Sequence, residues 1–161
     1  MEPLAIIDLE PWEYEHASNV GIRRFTANWS TRDASHYDRS RMEDDRTAQV
    51  AAAACELAVA KYTNQYWHAH IWHRSEHDKY RHMPDVGTNI EVRRVRTSDR
   101  AAVRQGGLGK GLVLWVASSV YPELRTVNLW GSIGYDTAWE LGQPSHYSET
   151  TRLIPIKEVW V

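Results

Sequence analysis

A single cysteine, Cys55, in 161 residues excludes an intramolecular disulfide framework and any zinc site built from several cysteines. No apolar run approaches the roughly 20 residues that a membrane helix needs. The opening residues, Met1-Glu2-Pro3-Leu4-Ala5-Ile6-Ile7-Asp8, place no basic group ahead of an apolar stretch, so no secretory leader is expected. Lysine is scarce: Lys61, Lys79, Lys110 and Lys157 are the only ones among 19 basic side chains. Arginine suits phosphate contact, although genomic base composition gives the same bias. Internal repeats and low-complexity linkers are also lacking. What remains is 42% hydrophobic and 25% charged, a mix that buries a core without covalent staples. The expectation is one domain over residues 1–161, cytoplasmic, with no membrane partner.

The net charge of −2 is unevenly spread. Residues 1–50 hold 6 basic and 10 acidic groups, a net of −4, whereas residues 74–104 hold 8 basic and 5 acidic groups, a net of +3. A local basic stretch can form a phosphate-binding surface on a slightly acidic protein. It is more commonly a solvated, salt-bridged face.

Residues 1–44 are rich in charge and aromatics, with turn signals at 18–19, 28–30 and 33–35, and read as helix or irregular extension. From Asp45 to about Tyr66 the pattern is helical: Asp44 or Asp45 can cap, and Val50, Ala54, Leu57, Ala58 and Tyr62 recur at helical spacing. Residues 89–97 alternate and are rich in β-branched side chains. Residues 105–111 form a glycine turn, read as a flexible hairpin; with Gly111 after Lys110 and a strand next, it is no P-loop. Leu112 to Ala117 suits a central strand buried on both faces. Arg125 to Trp130 reads as a further strand and Tyr135 to Leu141 as a short helix. Leu153-Ile154-Pro155-Ile156 reads as an edge strand, because proline cannot donate to a ladder. The fold class is α/β or α+β, a long helix on a mixed sheet of about four to five strands.

The segment with chemical potential is Met83-Pro84-Asp85-Val86-Gly87-Thr88-Asn89-Ile90-Glu91-Val92-Arg93-Arg94. Alternation puts Glu91 and Arg93 on one strand face and Ile90 and Val92 on the other. A bend at Gly87 lets Asp85 lie beside Glu91. Two adjacent carboxylates repel each other unless a divalent cation sits between them. Such an ion polarises a phosphodiester and lowers the pKa of a bound water, and a cation at the next same-face position can stabilise pentavalent phosphorus. Pro-Asp-x-Gly is also simply a good turn, and Glu91 with Arg93 can be half of an ordinary charge ladder.

Asp85 followed by Ile90-Glu91-Val92-Arg93 on a strand resembles the PD-(D/E)XK, or restriction-endonuclease-like, nuclease superfamily, and more narrowly its small phage-encoded members. Further short matches follow in order across residues 45–161. Residues 55–61 resemble the first core helix with its glutamate, Glu56. Residues 110–116 resemble the strand after the motif strand, residues 127–133 and 136–138 a later strand and small helix, and residues 153–156 the closing strand. The resemblance implies a restriction-endonuclease-like core that hydrolyses DNA with Mg²⁺ or Mn²⁺. Asp85 and Glu91 would be metal ligands and Glu56 an additional one. Arg93 stands where the family has lysine, and unlike lysine it cannot act as a base. Lys110, opening the neighbouring strand, is the alternative cation. Loss of catalysis, leaving a nuclease-fold DNA-binding or phage-assembly protein, is the competing reading.

Five of eight histidines, His68, His70, His73, His77 and His82, fall in one stretch. On a helix, His73 and His77 would share a face, as zinc ligation requires; a polar surface is the simpler account. Trp67, Trp72, Trp115, Trp130, Trp139 and Trp160 suit packing or a subunit interface, which leaves a homo-oligomer open. Residues 19–24, ending in Arg23 and Arg24, pair either with phosphate or with acidic N-terminal residues. Cys55 reads as a buried inert thiol.

Overall fold

The computed structural model describes residues 2–28, 44–80, 83–96, 99–146 and 148–159. Strand β1 (Ala5–Asp8) leads into helix α1 (Pro11–Ala27), then α2 (Asp45–Thr63). A short helix α3 (His77–Tyr80) precedes β2 (Ile90–Val95), β3 (Arg100–Arg104), β4 (Val113–Ser118) and β5 (Thr126–Gly134). Helix α4 (Tyr135–Leu141), β6 (Gln143–Pro144) and β7 (Thr151–Pro155) complete the chain.

Helix α1 starts on a reciprocal cap. Glu10 and Glu13 exchange side-chain-to-backbone hydrogen bonds, and Pro11 occupies the first turn, where its missing N–H costs nothing. Helix α2 is capped by Asp44, which accepts from the Thr47 N–H at 2.7 Å, and it stops at Asn64 in the left-handed region (φ 54°). Its buried residues are mostly alanine, so α1 can approach closely. At Gly21 an added Cβ would stand 2.5 Å from Val50 Cα, which leaves glycine as the residue that fits.

The mixed four-stranded sheet has the order β1-β5-β4-β2, with β2 and β4 parallel and the other pairs antiparallel. One face, carrying Ile90, Val92, Trp115, Ala117, Val127 and Leu129, packs on α1 and α2 through Ala17, Val20, Ala54, Ala58 and Val59. The other face, with Val95, Leu114 and Val116, packs on Ala101, Val103, Ile154 and Ile156 and on Tyr135 and Ala138 of α4. Burial on both sides explains the unbroken apolar run of β4.

The mixed α/β class, the long helix from Asp45, the central β4 and the short α4 stand as expected. Three readings need correction. The N-terminal region, read as helix or irregular extension, holds a 17-residue helix and also a strand, not expected, that joins the main sheet beside β5. The glycine turn is no hairpin: it carries the chain from β3 in a second, three-stranded sheet (β3-β7-β6) to β4 in the first. Strand β7 is the middle strand of that second sheet, not an edge; Pro155 is tolerated because it ends the strand, opposite Arg100. The turn signals at 29–30 and 33–35, His82 and Trp160 lie outside the described residues.

Candidate active site

Gly87 makes the bend that the sequence requires, with φ at +59°. Asp85 N–H donates to the Ile90 carbonyl at 2.9 Å, and Ile90 N–H to the Val86 carbonyl at 3.1 Å, so the chain doubles back on itself before β2. The Asp85 carboxylate thereby reaches the open edge of β2, where its Oδ2 accepts from the Val92 N–H at 2.8 Å. Oδ1 accepts no hydrogen bond among the described residues; it stands 3.7 Å from Nε2 of His70.

Residues 66–70 run alongside this bend. Trp67 bridges to Val86, Gly87 N–H donates to the Tyr66 carbonyl at 2.8 Å, and the His68 ring meets the Gly87 carbonyl at 2.6 Å. That pairing delivers Trp67 and His70 to the site. Trp67 Nε1 donates to Oε1 of Glu56 at 3.0 Å. Arg24, from α1, grips Glu56 through both terminal nitrogens, each at 2.9 Å, and its Nε donates to the His70 carbonyl at 3.0 Å. Arg24, Asn28, Gln49, Glu56, His70, Trp72 and Asp85 line a cavity of about 250 Å³.

The electrostatics are unbalanced toward negative charge. Burial raises the Asp85 pKa well above its ordinary value, and the fields of Glu56 and Glu91 push it further; the Val92 amide and Arg24 only partly offset them. Glu91 is also raised, first by burial, and Glu56 adds to this while Arg93, Arg104 and Lys110 oppose it. Arg93 approaches Glu91 at 3.8 Å. Burial disfavours a charged Arg24, but the adjacent Glu56 more than compensates and holds its pKa above the usual value. Burial also lowers the pKa of His70. Among the described residues neither ring nitrogen of His70 makes a well-formed hydrogen bond, although the backbones of Pro84 and of His70 itself lie near enough to favour the protonated ring somewhat.

Of the sequence candidates, Asp85 and Glu56 meet in the cavity. Glu91 and Arg93 lie on the β2 face turned away from α2, with Glu91 within electrostatic reach of both and outside the cavity lining. Lys110 influences Glu91 from the exposed glycine turn, where its Nζ donates to the Gly106 carbonyl. Glu56 is largely engaged: Oε1 accepts from Arg24 and Trp67, and Oε2 accepts once from Arg24. Among the described residues, no three His, Cys, Asp or Glu side chains form a ready-made metal cage. The donor chemistry of Asp85, whose ionisation burial and the fields of Glu56 and Glu91 oppose, nevertheless fits a hard divalent cation.

Sequence reasoning gave Trp67 a packing role and His70 a place in a polar histidine stretch, assigned Arg104 no role, and tied none of the three to this site. Arg24 resolves its open alternatives by pairing with Glu56, not with the acidic N-terminal residues. The His73–His77 helical pair does not form: α3 begins at His77, and His73 Nδ1 bonds Ser75 Oγ at 2.8 Å. Cys55 is fully buried, and Trp67 and Trp115 pack in the core as expected. Compared with protein-family models, curated proteins and solved structures, the chain matches none. No helix among the described residues is long and apolar enough to cross a membrane.

Proposed function

We propose that this protein hydrolyses DNA phosphodiesters with a divalent cation, Mg²⁺ or Mn²⁺, on a restriction-endonuclease-like core formed by α2, β2, β4 and β5. The observation that carries this reading is the uncompensated Asp85. Glu56 has Arg24 and Glu91 has Arg93, but the Asp85 carboxylate has one backbone amide and a histidine that burial keeps from charging. A buried carboxylate in that position either holds a proton or faces a cation.

Asp85 would hold the ion from the cavity and Glu91 would reach it around the open edge of β2; the ion would supply charge neutralisation and a more acidic water. Val92 fixes one Asp85 oxygen, so the other points to where a ligand must sit. Arg24 neutralises Glu56 and thereby keeps a third carboxylate near the site without a further unpaired charge. Arg93 presents a buried Nε with no hydrogen-bond partner among the described residues, and its planar fork suits a phosphoryl oxygen. Being always protonated, Arg93 stabilises charge and takes no proton.

The test is nicking of supercoiled plasmid with Mg²⁺ and with Mn²⁺, each repeated with chelator. Asp85→Asn and Glu91→Gln should abolish metal-dependent cleavage while the thermal transition stays cooperative. Cleavage by both variants at the parent rate refutes the assignment.

A second reading has its own support. Arginine in place of the family's lysine, and a Glu56 already held by Arg24, suit a chain that keeps the nuclease fold and binds DNA without cutting it, as a binding or phage-assembly component. In that case the parent leaves plasmid intact and binds duplex DNA with an affinity that falls steeply with salt.

A further inference from the structure

Among the described residues the side-chain nitrogens shut away from solvent and lacking a hydrogen bond belong to two groups, His70 and Arg93. Arg93 already has a role in the proposed chemistry. His70 has none, and its ring nitrogens, shut away from solvent, meet only the Pro84 backbone and its own backbone among the described residues, without well-formed hydrogen bonds, an arrangement that a ligand would complete. Its position is built, not incidental. The strand-like run of residues 66–70 against 85–87 fixes its backbone, and Arg24 Nε ties its carbonyl at 3.0 Å. The ring lies against Trp72 with centroids 4.4 Å apart, which limits its rotation. It lines the same cavity as Asp85, with Nε2 3.7 Å from Asp85 Oδ1.

That separation is too long for a hydrogen bond. It fits two ligands of one ion: with both donors about 2.2 Å from the metal, a 3.7 Å gap corresponds to an angle of about 115°, between octahedral and more open geometries. We propose that His70 is a nitrogen ligand of the same divalent cation as Asp85, which makes the site one for first-row transition dications in preference to Mg²⁺. The inference rests on the reading of Asp85 as a cation ligand. An imidazole donor strengthens binding along the series from Mn²⁺ to Zn²⁺ and adds little for Mg²⁺, which prefers oxygen.

The experiment uses the full chain with Mn²⁺ alone as probe, followed by electron-spin-echo modulation of the bound ion and by calorimetric titration with Mn²⁺ and Mg²⁺. The parent should show nitrogen modulation of the imidazole type that changes when histidine is ¹⁵N-labelled. His70→Gln should lose the modulation and weaken Mn²⁺ binding at least about tenfold, with Mg²⁺ affinity moving less than about threefold. Should His70→Gln not fold, the labelled parent decides alone. Mn²⁺ that binds the parent and is weakened by Asp85→Asn, but shows no histidine nitrogen, overturns the role of His70 and leaves the carboxylate site standing. Histidine coupling that persists in folded His70→Gln does the same. Mn²⁺ that fails to bind, or that binds Asp85→Asn as well as the parent, overturns both.

Discussion

Replacing Arg24 by methionine tests how the site is held together. The guanidinium and the Glu56 carboxylate are 13% and 10% exposed and meet through two bonds of 2.9 Å. Removing one member of a buried pair costs about 3–5 kcal/mol, because the partner's charge stays buried and unpaired. Trp67 Nε1 still donates to Glu56, so the lower end applies, about 3 kcal/mol. For a chain of this size that lowers Tm by about 6–12 °C. Glu56→Gln in the same background removes the stranded charge, while the amide oxygen it introduces can still accept from Trp67. The double variant should therefore be more stable than Arg24→Met, with a coupling energy of about 1.5–3 kcal/mol. Urea denaturation at pH 7 of the parent, both single variants and the double variant gives the cycle. Effects that add within about 0.5 kcal/mol would show that the pair is not a unit, and the neutralisation of Glu56 by Arg24 would lose its basis.

The remaining expectations follow from the same geometry. Folded Asp85 and Glu91 hold their protons to higher pH than the unfolded chain, which releases them near pH 4. Without divalent metal, stability should thus fall as pH rises from about 4 through the folded values, and Asp85→Asn should flatten that fall and raise Tm at neutral pH; an unchanged pH profile of urea midpoints refutes this. Saturating Mn²⁺ should raise the parent's Tm at neutral pH and leave that of Asp85→Asn nearly unmoved, since only a cation bound to the native state stabilises it. Gly21→Ala gains about 1 kcal/mol of helix propensity but drives a Cβ into the α2 backbone, so a net loss of about 1–2 kcal/mol is expected. A gain in stability for that variant would show that α1 and α2 do not meet this closely. Gly87→Ala should cost about 1–2 kcal/mol, because the left-handed backbone there disfavours a side chain, and should weaken Mn²⁺ binding by displacing Asp85.

Local patterns were legible where the apolar signal was strong. The alanine run with Val50, Ala54 and Ala58 marks α2, although Tyr62 of the same stripe is exposed, and alternation over Ile90, Glu91, Val92 and Arg93 assigns the faces of β2. Helix α1 was hidden because its buried stripe is Glu13, Ala17, Val20 and Gly21, which offers one sizeable apolar residue in three turns. Its start was nonetheless written in Glu10-Pro11 and Glu13, a capping pattern that charge-rich surroundings mask. The second sheet was missed because β3 is five residues long with arginine at each end, and because Pro155 gives β7 the look of an edge.

The site divides along the same line. Asp85 and Glu91 are close in sequence, so a single bend brings Asp85 within electrostatic reach of Glu91, but the bend leaves Glu91 on the strand face turned away from the cavity that Asp85 lines, which the segment alone does not reveal. Arg24 meets Glu56 across 32 positions, and Trp67 and His70 arrive by pairing of residues 66–70 with the bend at 85–87, which no periodicity reveals. These unread residues set the chemistry. Arg24 and Trp67 engage Glu56 with three hydrogen bonds, which leaves Asp85 the less compensated carboxylate, and Asp85 faces a histidine whose ring nitrogens make no well-formed hydrogen bond among the described residues. A carboxylate and an imidazole are held 3.7 Å apart, both largely shielded from solvent and too far apart to hydrogen-bond. The arrangement costs stability in the ligand-free protein, and that cost is what a bound cation would remove.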